Sequence, residues 1–214
     1  VLNGIGKGTT VALISETQSR PVLAHLSELA LYDLEADFCI LKMPTPPQTA
    51  PVPVKGTGTS LAIQHNRAII EAMKKCEIVV DCTVEGMIHS PEWPEIEAAG
   101  ARILVVTNEH PEILERTEPF AELGPKVDLG VQMLSEAREM RVTSEAGTDL
   151  IVDLTDAPCG GTPGFGTNPG HVAHWPGGLC LAFPGKGCVN GRIVMDLGDM
   201  NLTFKTYLTS RIDF

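Results

Sequence analysis

Basic residues are in short supply: 16 Lys and Arg stand against 27 Asp and Glu, a net charge of -11 at neutral pH. A surface of that sign repels phosphate backbones and anionic lipid, which argues against nucleic acid and membrane as partners. Long apolar runs are also missing. None approaches the roughly 18 residues of a membrane span, and the opening VLNGIGKGTT lacks the charged, apolar, small-residue order of a signal peptide. The cytoplasm is the compartment this implies. The six cysteines form no C-x-x-C pair, and several lie inside apolar stretches. Buried free thiols fit that pattern better than structural zinc or a disulfide framework. With 43% hydrophobic and 20% charged residues, the chain is neither a disordered tail nor a disulfide miniprotein. Its 214 residues allow one large domain or one domain plus part of another. It begins on Val1 rather than Met and ends on the strand-like SRIDF, which reads as one arm of a pairing, so we expect a longer natural protein.

What is present is a β-α alternation. The run TTVALISE (9–16) is β-branched and apolar, and the following segment places Val22, Leu23, Leu26, Leu29, Ala30 and Leu34 at helical spacing behind Pro21. DFCILKM (37–43), EIVVDCT (77–83) and ARILVVT (101–107) are further buried strands. Between the first two of these, the spacing predicts a helix from Leu61 to Lys75 capped by Ser60, behind a Pro/Gly/Thr loop of unusual length. A short helix from Trp93 should end at Gly100; acidic helical segments around 111–123 and a longer one over 125–140 follow. Near-continuous apolar strands joined by amphipathic helices imply a doubly wound, mostly parallel sheet with helices on both faces. Ligands in such sheets lie past the strand carboxyl ends. After residue 140 glycine-punctuated short strands take over. The reading is therefore an α/β Rossmann-like domain over 1–140 and the start of a β-rich (α+β) domain over 141–214.

Several familiar motifs fail. GIGKGTT precedes a strand instead of following one, GGTPGFG lacks the G-x-G-x-x-G order, and no helical H-E-x-x-H occurs. Phosphate-loop, dinucleotide and zincin chemistry are thereby set aside. GMIHSPEWP (86–94) comes directly after the third strand, so His89 and Ser90 sit at the edge where an open sheet builds its crevice; the plainer alternative makes Ser90 a helix cap and His89 a loop residue. HVAHWPGG (171–178) sets His171 and His174 three apart with Trp175 adjoining, in a glycine- and proline-rich loop. Metal ligation by the pair, proton transfer or substrate hydrogen bonding, and a surface turn are all compatible with it. Asp196 and Asp199 in MDLGD suit a hard metal or, more often, a turn. His25 and His65 fall within predicted helices and His110 near a helix start, which assigns all three to structure.

GMIHSPE, TSEAGTDL (143–150), HWPGG (174–178) and IVMDLGDMNLTFKTYLTSRI (193–212), taken together and in this order, resemble the 2,5-dihydroxypyridine 5,6-dioxygenases, in a superfamily shared with aminopeptidase T-like metallopeptidases. The His-Ser-Pro-Glu and His-Trp-Pro elements point to the dioxygenase branch. The resemblance implies a non-haem Fe²⁺ enzyme of extradiol type that opens a hydroxylated pyridine ring with O₂, in nicotinate-type degradation. It also implies a homo-oligomer, with a small aromatic heterocycle as the partner molecule. Carried over residue by residue, His89 and His174 are the catalytic candidates. Ile88, His89, Ser90, His174 and Trp175 are the candidate substrate-binding residues. The family's iron ligands, two histidines and an aspartate, belong to a region beyond this sequence, so no residue here is assigned to metal. A divalent-metal peptidase and a non-enzymatic ligand- or partner-binding α/β domain are the alternatives.

Overall fold

A computed structural model of the chain describes residues 2–47, 59–107, 109–197, 199 and 209–214. Most of the long loop and much of the segment between MDLGD and SRIDF lie outside the described residues. The chain divides into two compact units, Val1–Leu123 with Thr162–Gly178, and Gly124–Gly161 with Leu179–Phe214.

In the first unit the elements run β1 (Thr10–Glu16), α1 (Pro21–Asp33), β2 (Asp37–Met43), α2 (Arg67–Met73), β3 (Ile78–Cys82), α3 (Trp93–Ala98), β4 (Arg102–Val105) and α4 (Pro111–Arg116). The second contains α5 (Leu123–Glu136), β5 (Glu139–Thr143), β6 (Asp149–Asp153) and β7 (Cys159–Thr162). The chain then returns to the first unit for β8 (Val172–His174) before closing with β9 (Leu179–Ala182), β10 (Val189–Val194) and β11 (Arg211–Asp213). Among the described residues the first unit holds a five-stranded sheet of order β2-β1-β3-β4-β8, every neighbouring pair parallel. The second unit holds an antiparallel sheet, β11-β10-β6-β5, and a β7-β9 pair. The α/β architecture read from the sequence is therefore the one observed.

Alternation along the strands sends their side chains to two separate cores. Ala12, Ile14, Val79, Ile103 and Val105 meet Ile70 and Met73 of α2 and Trp93 and Ile96 of α3 on one face. Val11, Leu13, Ile78, Val80 and Leu104 meet Leu23 and Leu31 of α1 and Leu114 of α4 on the other. Each fully buried aliphatic side chain contributes about 1.5–3 kcal/mol, so both faces are held by burial rather than by helix propensity.

Departures from the sequence reading have physical causes. Residues 61–65 do not join α2: His65 takes φ 59°, which a helix interior does not accept, and Asn66 caps instead, its side chain accepting from Ile69 N at 3.4 Å. His65 thus precedes the helix, whereas His25 lies in α1 and His110 caps α4 as read. One division between the compact units falls between Leu123 and Gly124, with most of α5 grouped with the antiparallel strands. The glycine-punctuated stretch 141–156 forms the hairpin of β5 and β6, joined by a turn in which Gly147 takes φ 106°. And the supposed loop 171–178 supplies β8, the outermost strand of the parallel sheet.

Candidate active site

The register across the parallel sheet decides which polar groups share a side. Ile14 of β1 pairs with Asp81 of β3, Asp81 with Val105 of β4, and Val105 with His174 of β8. Residues paired in this way project to the same face. Ile14 and Val105 belong to the core under α2 and α3, so Asp81 and His174 face that side too, two strand spacings or about 10 Å apart between Cα atoms. Glu16, two residues beyond Ile14, ends β1 on the same face.

Asp81 is completely buried. Its Oδ1 accepts from Thr83 N at 2.9 Å and from Thr83 Oγ1 at 2.6 Å, and its Oδ2 accepts from Met87 N at 2.8 Å. Burial nevertheless pushes its carboxyl up to about 6, with the Glu16 charge adding to the rise and the three hydrogen bonds opposing it. Thr83 Oγ1 passes the link on by accepting from Gly86 N at 3.1 Å, and Gly86 makes the bend at φ 76°. Glu16 is 3% exposed; its Oε1 accepts from Ser60 Oγ at 2.8 Å and from Val84 N at 3.4 Å. Two buried carboxylates thereby fasten the segment between β3 and α3 from below, beside the β1/β3 switch point where the chain reverses direction across the sheet.

That segment carries three of the candidate residues. Met87 is buried in the core and Ile88 packs against it. His89 is exposed, its carbonyl accepting from Thr59 Oγ1 at 3.5 Å. Ser90 is buried and donates to Ser60 O at 3.4 Å; it does not cap α3, whose N-cap is Glu92. On β8, His174 is half-buried with Nδ1 2.9 Å from Pro176 O. A carbonyl oxygen only accepts, so Nδ1 bears the proton and Nε2 keeps its lone pair for another partner.

A family profile described as NicX, 2,5-dihydroxypyridine 5,6-dioxygenase, matches residues 1–214. The chain belongs to this family. It is 29% identical over 213 residues to the 2,5-dihydroxypyridine 5,6-dioxygenase of Pseudomonas putida KT2440, covering 99% of this chain and 60% of that protein. The solved structure of 2,5-dihydroxypyridine dioxygenase from Pseudomonas putida KT2440 is similar at a TM-score of 0.82 and 28% identity, over 93% of this chain and 57% of that one. The chain thus spans a little under two thirds of the length of the relatives it matches.

Within this family member, Trp175 lies apart from the other candidates. One residue beyond His174, it turns to the opposite face, packs against the core under α1 and α4, and donates Nε1–H to Thr117 O at 3.2 Å. There it borders an apolar groove of about 530 Å³ with Leu23, Leu26 and Leu114. Strand alternation thus separates the Trp175 indole from the His174 imidazole. Alternation also separates His171 from His174; the His171 Nε2 sits 3.1 Å from Phe165 O, and the two imidazoles do not converge on one ion. Asp196 and Asp199 form a turn, with Asp199 Oδ2 accepting from Asp196 N at 2.8 Å. Among the described residues no three His, Cys, Asp or Glu gather closely enough to hold a metal ion. The described donors therefore do not fit an iron site. Glu16, Asp81 and Thr83 were missed by sequence reasoning and Ser60 was read only as a helix cap, although a carboxylate at the end of an apolar strand, as in VALISE and IVVDC, is a signal that could have found the first two.

Proposed function

We propose that this chain forms the α/β part of a dioxygenase that opens 2,5-dihydroxypyridine, or a closely similar hydroxylated pyridine, with O₂. The reading takes Fe²⁺ as the group that activates oxygen, held by donors other than the described residues, and concerns here only what this chain's own residues do. Membership of the family supports it, and one structural observation carries it: His174 shares a face and a sheet edge with the anchored loop that bears His89, and its Nε2 has no partner among the described residues.

A dihydroxypyridine becomes more electron-rich when a ring hydroxyl loses its proton, and a positioned imidazole lowers the barrier to that loss by general base catalysis, typically about 10² to 10⁴-fold. His174 Nε2 accepts the hydroxyl proton, while the Pro176 carbonyl holds the ring in the correct tautomer and stabilises the imidazolium that forms. His89, on the exposed crest of its loop, donates to or accepts from the polar edge of the heterocycle, and Ile88 beside it packs on the ring's apolar surface. Ser90 contributes by tying the loop to Ser60. No helix among the described residues is long and apolar enough to cross a membrane.

The test is aerobic incubation of the protein expressed from its natural gene with 2,5-dihydroxypyridine. Loss of the ring chromophore with matching O₂ uptake is the expected result. Hydrolysis of peptides under nitrogen, without oxygen consumption on the pyridine, would overturn it in favour of the peptidase branch.

A further inference from the structure

We propose that Asp81, acting through Thr83, is the positioning residue that sets His89 over the carboxyl edge of the sheet. The inference rests on the reading of His89 as a substrate-contacting group and adds the residues that place it. Among the described residues none hydrogen-bonds the His89 ring; its loop is held from elsewhere. Three of the hydrogen bonds that fix residues 83–87 end on one buried carboxylate, at 2.6, 2.8 and 2.9 Å. The same residue's backbone carbonyl accepts from Val106 N at 2.9 Å and Thr107 N at 2.8 Å, so the anchor is itself locked to the end of β4. Beyond Met87 the chain closes back: Ser90 N donates to Met87 O at 2.9 Å, and Ser60 N donates to Gly86 O at 2.7 Å. His89 is therefore the exposed tip of an arch whose two feet are both fixed.

A plain core polar residue would not need this geometry. Asp81 stands between Ile14 and Val105, two fully buried aliphatic side chains, where an apolar residue would pack without the cost of burying a carboxylate. What the carboxylate supplies, and an apolar side chain could not, is an acceptor for three donors aimed from one loop. Asp81 also sits in the register row of His174. Fixing the arch to this residue fixes His89 relative to His174, and a displacement of about 1 Å at a reacting group can cost on the order of 10²-fold in rate.

The experiment uses the protein expressed from its natural gene and measures turnover of 2,5-dihydroxypyridine together with hydrogen exchange of the 83–90 amides. Asp81→Asn turns one acceptor into a donor facing another donor. Thr83→Val removes the hydroxyl that links Asp81 to Gly86, and Thr83→Ser restores it. The expected result is a fall of about 10²-fold in kcat with little change in KM for Asp81→Asn and Thr83→Val. Thr83→Ser should stay close to wild type. In the Thr83→Val protein the Gly86, Met87 and Ser90 amides exchange faster while those of β1 and β4 do not. In a His89→Ala background neither variant lowers turnover further, because the group they position is gone. A loss in His89→Ala with normal turnover in the Asp81 and Thr83 variants, or with losses that multiply in the double variants, overturns this proposal alone. Normal turnover in His89→Ala overturns the reading of His89 and this inference with it. Should Asp81→Asn fail to fold, the Thr83 pair decides the matter.

Discussion

The two faces of the parallel sheet are built from the same strands with the same apolar vocabulary, yet their carboxyl edges differ. Under α2 and α3 the strands finish on Glu16, Asp81 and His174. Under α1 and α4 they finish on Cys82, Val106 and Trp175. On the second face the buried Cys82 thiol lies 3.5 Å from the Ser27 hydroxyl, and burial pushes it up to about 12. A shift of one residue in register would exchange the two sets. The phase of the strands thus sends polar and apolar side chains to opposite faces at this edge, and under the proposed function neighbours in sequence such as His174 and Trp175 have different work.

Replacing the two neighbours gives the widest separation. His174→Ala should lower ring cleavage by about 10² to 10⁴-fold while costing only about 1 kcal/mol in urea unfolding, for the lost hydrogen bond to Pro176 O. Trp175→Phe should leave turnover unaltered. Equal losses from the two would erase the distinction between the faces. The cores beneath should respond alike: Ile103→Ala on one face and Leu13→Ala on the other each cost about 2–5 kcal/mol in urea unfolding, since both side chains are fully buried.

A third measurement isolates Asp81. Its carboxyl titrates near 6 in the fold and would titrate near 3.8 without it. The folded state therefore binds this proton more tightly, and the stability it contributes is fully present below the lower value and lost as pH rises through the upper one. Two units correspond to about 3 kcal/mol. The stability of wild type relative to Asp81→Asn should fall by about that amount between pH 4 and pH 7, whereas exposed pairs such as Arg141 with Asp149 cancel in the difference. Urea titrations of both proteins across that range give the comparison, and a flat difference would mean that Asp81 is not desolvated.

Smaller effects belong to the second face. Trp175→Phe gives up the hydrogen bond to Thr117 O and should cost about 1 kcal/mol. Cys82 should resist a thiol reagent at pH 8 in the native protein while the exposed Cys39 reacts, as peptide mapping of the labelled protein would record.

Strands were the most legible elements because an apolar, β-branched run carries its own signal: DFCILKM is β2 residue for residue. The loop position of His89 was legible for the same reason, since the end of β3 was. β8 was not, because three residues between glycines and prolines hold no periodicity to detect, and its pairing partner β4 lies almost seventy residues earlier. Ser60 misled for a different reason. It looked like a helix cap, and its oxygen does accept from Ala62 N at 3.2 Å, but only a carboxylate 44 residues away reveals that its hydroxyl donates to Glu16.

The order of apolar runs and breaks by itself determined that this protein has a parallel α/β sheet and which loop leaves the end of β3, for these depend on local pattern. Only the tertiary structure decided that His174 and Asp81 share a row, that Trp175 turns away, and that two buried carboxylates hold the His89 arch. Each of these depends on strand register and on hydrogen bonds between residues distant in the chain, and neither leaves a trace in local composition.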